Sequence, residues 1–277
     1  MSNTPFIAII TGGSSGIGFA TASALLARGN WRAYFLDRNP PSSDVLSSNS
    51  DAIHIQADVT EFASLASAFQ KVFDAHSRLD FVFANAGIAL HPDNLTPAGE
   101  SSKDEYPATP DLTLLDVNLK GVIYTSHLAR HYFHLSPAGS ERNLMITASM
   151  AGFYASPSVP VYAASKHAVV GWTRSIAPGY WKEDRIRVNA ICPSLVATGI
   201  MPEEMYATFP EGVLTPVNSV VKAVLLLHDG KAEQVGEGKI VAGQTVEVNG
   251  SELYFRKQID FCNPIAAGIM GTVSVEA

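Results

Sequence analysis

Residues 6–30 constrain the fold of this chain more than any other stretch. Phe6-Ile-Ala-Ile-Ile10 is a short apolar run with β-branched character, the pattern of a buried strand. Gly12, Gly16 and Gly18 follow, then Phe19–Arg28, a helical stretch closed by Gly29-Asn30. Strand, glycine turn and helix in this order aim bare backbone N–H groups from a helix N-terminus, where a pyrophosphate binds. Glycine is needed where a side chain would block that approach, and where the helix packs tightly on the strand. The spacing is Gly-x-x-x-Gly-x-Gly, not Gly-x-Gly-x-x-Gly. Taken alone, the segment also reads as a tight turn without a ligand.

Strand-like and helix-like segments alternate from Phe6 to about Lys239, the mark of β-α-β crossovers and a parallel sheet. In the stretch 58–80, Phe62, Leu65, Phe69, Val72 and Phe73 share one helical face. A chain of 277 residues holds one large α/β domain, and no break in composition divides it. Hydrophobic residues at 47% against 16% charged suit a sheet covered on both faces. The formal net charge of −7 argues against a nucleic-acid partner, which needs a basic face. Two cysteines, Cys192 and Cys262, make no disulfide framework and point to a reducing, cytoplasmic setting. Residues 1–5 lead directly into the first strand and leave no room for a cleavable signal, and no apolar run is long enough to span a bilayer.

The second strand, Trp31–Leu36, ends at Asp37-Arg38. An acid about 20 residues beyond the glycine turn bonds the adenosine ribose and repels a 2′-phosphate. Ser14, Ser15 and Ile17, within the turn, add no cation to attract that phosphate. NAD is therefore expected ahead of NADP, although Arg38 suits either stacking on adenine or holding a phosphate. Further along, Tyr162 and Lys166 stand four apart, on one helical face. A phenol ionises near pH ~10, and a neighbouring ammonium favours the phenolate. Tyr162 is thus expected to exchange a proton with an alcohol or carbonyl while another group takes the hydride.

These motifs together resemble the short-chain dehydrogenase/reductase family over nearly the whole chain, most closely its NAD-dependent 15-hydroxyprostaglandin dehydrogenase branch, through Val161–Ser175 and Arg187–Pro193. The resemblance implies a Rossmann-type, doubly wound parallel sheet with helices on both faces, in one domain over 1–277. It implies that Asn118, Ser149, Tyr162 and Lys166 form the catalytic set, Asn118 through a water. It places Asp58 and Val59 at the adenine, and Asn85, Ala86 and Gly87 beside the cofactor. Pro193, Val196 and Thr198 fall at the nicotinamide, and Tyr162 and Lys166 at its ribose. The implied reaction interconverts a secondary alcohol and a ketone on a lipophilic small molecule. An isomerase, epimerase or cyclase on the same site is the alternative, and a non-catalytic dinucleotide-binding protein a third reading that Ser149, Tyr162 and Lys166 oppose.

Ser194 departs from the family's usual glycine, implying either a shifted loop path or a contact to the carboxamide. Pro178-Gly179 predicts a break or kink in the helix after Tyr162. Residues 91–111 read as a polar surface excursion and 251–277 as a C-terminal tail, whose apolar part, 263–277, covers a substrate cleft, docks on a partner subunit or hangs loose. Residues 195–215, with Met201, Met205, Tyr206 and Phe209, read as a substrate lid, plain core being the alternative. His127, His131 and His134 have helical spacing, yet no metal site is expected on a helix so apolar. No Gly-x-Ser-x-Gly elbow surrounds Ser149, against a hydrolase. Leu119, Val122, Tyr124, Leu128 and Phe133, with Val169, Val170, Trp172 and Ile176, predict apolar helix surface left over for a homodimer or homotetramer.

Overall fold

A computed structural model describes residues 4–41, 48–89, 109–236 and 239–270. The first strand, β1 (Phe6–Thr11), leads through the glycine turn into α1 (Gly16–Leu26). Then come β2 (Trp31–Asp37), β3 (Ala52–Gln56), α2 (Phe62–His76) and β4 (Phe81–Ala84). The next helix, α3 (Gly121–Leu135), is entered through one turn at Thr113–Leu115 and a π-helical turn at Asp116–Lys120. It is followed by β5 (Asn143–Thr147), a 3₁₀ turn at Met150–Gly152, the long α4 (Pro160–Asp184) and β6 (Arg187–Pro193). A short α5 (Glu203–Tyr206), then α6 (Val217–His228), β7 (Thr245–Asn249), β8 (Glu252–Phe255) and α7 (Pro264–Met270) complete the order.

The strands lie in the order β3-β2-β1-β4-β5-β6-β7-β8. All neighbours are parallel except β7 and β8, paired antiparallel from Val246↔Phe255 to Asn249↔Glu252. The chain winds outward from β1 to β3 and then returns to place β4 on the other side of β1. That reversal opens a crevice at the carboxyl ends of β1 and β4, the position where ligands bind in open α/β sheets. One face of the sheet is covered by α2, α3 and α4 around Leu65, Phe69, Phe133, Val169 and Val170. The other is covered by α1 and α6 around Leu25, Phe35, Val220, Val224 and Leu227. Each such side chain taken fully from water contributes about 1.5–3 kcal/mol. The expected doubly wound α/β architecture is the architecture present.

Several local expectations are corrected. Helix α4 runs through Pro178 unbroken, because Val169, Thr173, Ala177 and Tyr180 on both sides of it are buried in one continuous stripe. Tertiary packing there outweighs the hydrogen bond that the proline cannot donate. Residues 252–255, at the start of the expected tail, form a strand, β8, that extends the sheet. Phe62 is not on the buried face of α2; it is exposed and meets Tyr124 edge-on at 5.2 Å. Part of the apolar surface of α3 and α4 is covered within the single chain. Val122, Leu128, Phe133, Val169 and Val170 are buried, and Leu119, Tyr124, Trp172 and Ile176 pack against that core. The indole Nε1 of Trp172 donates to Ser126 Oγ at 3.2 Å. Nearly all of the excursion at 91–111 lies outside the described residues, as does the end of the tail from 271 onward.

Candidate active site

The glycine turn forms a cradle against β1 and β4. Gly12 and Gly16 hold φ of 61° and 52°, the left-handed region that glycine enters without strain. A Cβ on Gly18 would meet the Gly12 carbonyl oxygen at 2.3 Å, so α1 sits directly on the turn only because that side chain is absent. At the start of α1, the Ser15 side chain does not cap the helix, and the first turn holds no acid. The Ser14 hydroxyl is buried without a hydrogen-bond partner. An uncapped helix start and an orphaned hydroxyl beside glycine backbone fit an anionic pyrophosphate, which supplies the missing acceptors and the negative charge. Ile17 packs into the core beneath α1.

At the end of β2, Asp37 lies against the turn: the Ser14 amide donates to its Oδ2 at 3.1 Å. Beside it, Arg38, Asn39, Gln56, Ala57, Asp58 and Ser64 line a cleft of about 670 Å³. The Thr60 amide and hydroxyl both donate to Asp58 Oδ1, at 2.9 and 2.8 Å. The amide bond, first among the causes, holds the carboxyl below the usual carboxylate range. Val59 is held by α3, where a Cβ on Gly121 would meet Val59 Cγ2 at 2.9 Å. The cleft continues the cradle away from the switch point and has the polar lining that an adenosine needs.

Asn85, Ala86 and Gly87 follow β4 on the other wall. Asn85 Nδ2 donates to the carbonyls of Thr11 and Gly12, and its Oδ1 accepts from Thr147 Oγ1 at 3.0 Å. The Thr11 hydroxyl oxygen in turn accepts from the amides of Asn85 and Ala86. Asn85 therefore staples three strand ends together and has little left for direct contact with a ligand. Asn118 is buried in the π-helical turn, a departure from α geometry that recurs at functional sites. Its side chain exchanges two 2.8 Å bonds with the backbone of Ile88 and donates to Ser165 Oγ at 3.3 Å. A Cβ on Gly87 would approach both Asn118 Oδ1 and Lys166 Nζ, so these three residues converge.

Ser149 caps the 3₁₀ turn after β5, its Oγ accepting from the Ala151 amide at 3.1 Å. Its hydroxyl also lies beside the phenol of Tyr162, on the first turns of α4, and favours its ionisation. Lys166, one turn on, is buried, with Nζ 5.7 Å from the Tyr162 ring centre and donating to the Thr147 carbonyl at 3.1 Å. The predicted trio is assembled, but its electrostatics differ from the expectation. Burial raises the Tyr162 phenol, and Ser149 opposes that rise. Burial also lowers Lys166 to about 8. Spacing alone suggested an ammonium pulling the phenol down; loss of water around both groups is the larger effect in this chain. Cys192, buried nearby, has its thiol pushed up to about 12 by burial and stays protonated.

The fourth wall is the loop after β6. Pro193 and Val196 are buried, and the Ser194 amide continues the register by donating to Val248 at 2.9 Å. Thr198 packs against the glycine turn, where a Cβ on Gly16 would meet it at 3.1 Å. Sequence reasoning gave Tyr206 no such role: its hydroxyl lies within 3.2 Å of the Thr198 amide and bonds the carbonyls of Val196 and Thr198, pinning the loop from α5. The segment closes on itself where the Thr215 amide donates to Leu195 at 2.7 Å. Ile200, Met205, Phe209, Val213 and Leu214 along it are exposed, which excludes the plain-core reading. The three histidines of α3 part company: His127 lies by Phe62, His131 by Tyr132, and His134 bonds Asp184.

Comparison with known proteins agrees with this geometry. The family model described as short chain dehydrogenase matches residues 6–207. A short-chain dehydrogenase/reductase, prx7, of Penicillium rubens is 38% identical over 275 residues, covering 94% of this chain and 97% of its own. The 15-hydroxyprostaglandin dehydrogenase [NAD(+)] of Homo sapiens is 31% identical over 202 residues, 70% of each chain. Among solved structures, a 3-ketoacyl-(acyl-carrier-protein) reductase from Brucella melitensis, complexed with NADH, superposes with a TM-score of 0.72. It is 23% identical and is matched over 91% of this chain and all of its own.

Proposed function

The chain belongs to the short-chain dehydrogenase family, whose members are oxidoreductases using a nicotinamide dinucleotide, and we propose that it interconverts a secondary alcohol and a ketone on a lipophilic small molecule, with NAD as the cofactor. The observation that carries this reading is the meeting of Ser149, Tyr162 and Lys166 at the carboxyl edge of the sheet, beside a glycine cradle with an orphaned serine hydroxyl. The cradle would hold the pyrophosphate, Asp37 the adenosine ribose, the Arg38–Asp58 cleft the adenine, and the Pro193–Thr198 loop the nicotinamide end.

The nicotinamide, when bound, supplies the acceptor for the carbinol hydride. Tyr162 takes the hydroxyl proton as general base, and Ser149 donates to the oxygen as its charge develops. Lys166 keeps its charge below about pH 8 and so favours the phenolate against the cost of burial. In the reverse direction Tyr162 returns the proton to a ketone. The exposed apolar side chains of 195–215 suit a lipophilic substrate better than a charged one and support the lid reading. A cytoplasmic setting suits the two unpaired cysteines, and no helix among the described residues is long and apolar enough to cross a membrane. A homodimer or homotetramer rests on the family likeness and on Leu119, Tyr124, Trp172 and Ile176, which stay only half-buried on α3 and α4.

NAD is favoured over NADP by Asp37 against the turn and by the NAD(+) in the name of the human relative. Asp37→Ala removes the ribose contact and the repulsion of a 2′-phosphate, and leaves Arg38 free to attract one. NADP affinity should rise relative to NAD, read by fluorescence titration of both reduced cofactors. An unchanged ratio, or a wild type that already prefers NADP, removes Asp37 from this role. The wider reading is tested by screening secondary alcohols and ketones against nicotinamide absorbance with each cofactor. Turnover of none of them, with cofactor bound, would favour the isomerase class.

A further inference from the structure

The strand missed by sequence reasoning brings a charged group to the turn that carries Ser149. Tyr154 lies five residues beyond Ser149 and is tied to the same turn through its amide, which donates to Met150 at 3.2 Å. Its hydroxyl donates to Glu247 Oε2 on β7 at 3.1 Å and accepts from Arg256 Nη2, just past β8, at 2.8 Å. Arg256 Nε also faces Glu247 Oε2 at 3.4 Å, closing a triangle. The guanidinium of Arg256 lies 5.7 Å from the ring centre of Phe153 and 5.5 Å from that of Tyr154. Arg174, on α4, sits 5.7 Å from Phe153 and donates to the Arg256 carbonyl at 2.8 Å. The turn is also pressed onto α4, because a Cβ on Gly152 would meet the Lys166 carbonyl at 2.7 Å.

We infer that Tyr154, Glu247 and Arg256 are positioning residues that brace the serine turn against the sheet edge and so keep the Ser149 hydroxyl on Tyr162. Glu247 is only 5% exposed, and a buried carboxylate without partners is strongly destabilising. Arg256 and the Tyr154 hydroxyl supply those partners from the exposed side, which ties the phenol to the sheet edge. None of the three touches the reacting atoms as the site is read above. They act through Ser149, so the inference rests on the proposed function only for the roles of Ser149 and Tyr162. It gives β7 and β8 a part in catalysis beside that of β5, which leads into the turn of Ser149.

The consequence is a coupling. The groups that face the Tyr162 phenol are Ser149, which favours ionisation, and Lys166, beside its ring. Cys192, near Lys166, keeps its proton, and Arg174 and Glu247 lie beyond it. If the turn shifts, the Ser149 hydroxyl leaves the phenol, the phenol rises further, and oxidation needs a higher pH.

Tyr154→Phe tests this in the full chain, because the ion pair of Arg256 with Glu247 remains and the carboxylate is not stranded. The probe is the first alcohol oxidised by the wild type in a panel running from cyclohexanol to menthol. The variant should lose roughly 10- to 10²-fold in kcat, the scale of a misplaced group, with KM for NAD unchanged. The rising limb of its pH profile should move to higher pH, as in Ser149→Ala, and the double variant should shift no further than Ser149→Ala alone. A wild-type kcat and limb in Tyr154→Phe, or a shift that adds to that of Ser149→Ala, overturns the brace. Should the wild type oxidise no alcohol, the functional reading falls instead. Ultraviolet difference titration of Tyr162, against matched Tyr162→Phe blanks, then decides the brace by the same two outcomes.

Discussion

Tyr162→Phe is expected to lower turnover by at least roughly 10²–10⁴-fold, the usual contribution of a general base, and to leave NAD binding nearly unchanged. The ring stays and only the proton acceptor goes. No neighbour can replace it: Ser149 ionises far too weakly, Lys166 is a cation below about pH 8, and Cys192 holds its proton to about pH 12. The hydroxyl also lies beside Ser149, so its removal frees that serine as well. Steady-state kinetics on an identified alcohol, with cofactor affinity measured separately, divides the two effects. A variant that kept most of its turnover would move the proton chemistry to another residue.

The second large effect has opposite signs for activity and stability. Lys166 is buried and its folded pKa is pulled down to about 8 from 10.5. A base depressed on folding binds its proton more weakly in the native state, so it lowers stability fully below pH 8. That loss is relieved as pH rises from about 8 to about 10.5, where the unfolded chain also gives up the proton. A shift of this size corresponds to about 3 kcal/mol. Lys166→Met should therefore raise the cofactor-free unfolding free energy at neutral pH, by up to about that amount, although it strands the Thr147 carbonyl. It should also abolish most turnover, because the charge that favours the phenolate is gone. Urea unfolding at pH 7 and pH 10 checks the sign: the gain should shrink at the higher pH. A variant less stable than wild type at pH 7 would mean that the bond to Thr147 outweighs the desolvation of the ammonium.

What the sequence made legible was local. The glycine turn, the acid closing β2 and the tyrosine–lysine spacing each depend on residues within one crossover or one helical turn. The fold followed from the same locality, since each β-α-β unit is read on its own and the handed crossovers then order the sheet. What escaped was set by distance in the chain. Tyr154 meets Glu247 across 93 residues and Arg256 across 102, and nothing in the spacing announces either pairing. Strand β8 exists because β7 offers it an edge, not because Glu252–Phe255 alternates strongly. Helix α4 does not break at Pro178, because a propensity acts on an isolated helix, whereas α4 is held along its buried stripe. Of the apolar residues on α3 and α4, Val122, Leu128, Phe133, Val169 and Val170 are covered by their own chain, which periodicity does not show. The raised phenol was hidden for a related reason: charge spacing is written in the sequence, but burial is not.

The central claim, hydride transfer from a secondary alcohol to the nicotinamide with Tyr162 as base, is met most directly by isotope tracing. A secondary alcohol carrying deuterium at its carbinol carbon is incubated with the protein and oxidised NAD, and the cofactor is recovered for mass spectrometry. The account predicts reduced cofactor carrying one deuterium for each ketone formed, and both products formed at least roughly 10²-fold more slowly with Tyr162→Phe. Product formed with the cofactor left oxidised and unlabelled, or label transfer that survives intact in Tyr162→Phe, would contradict it.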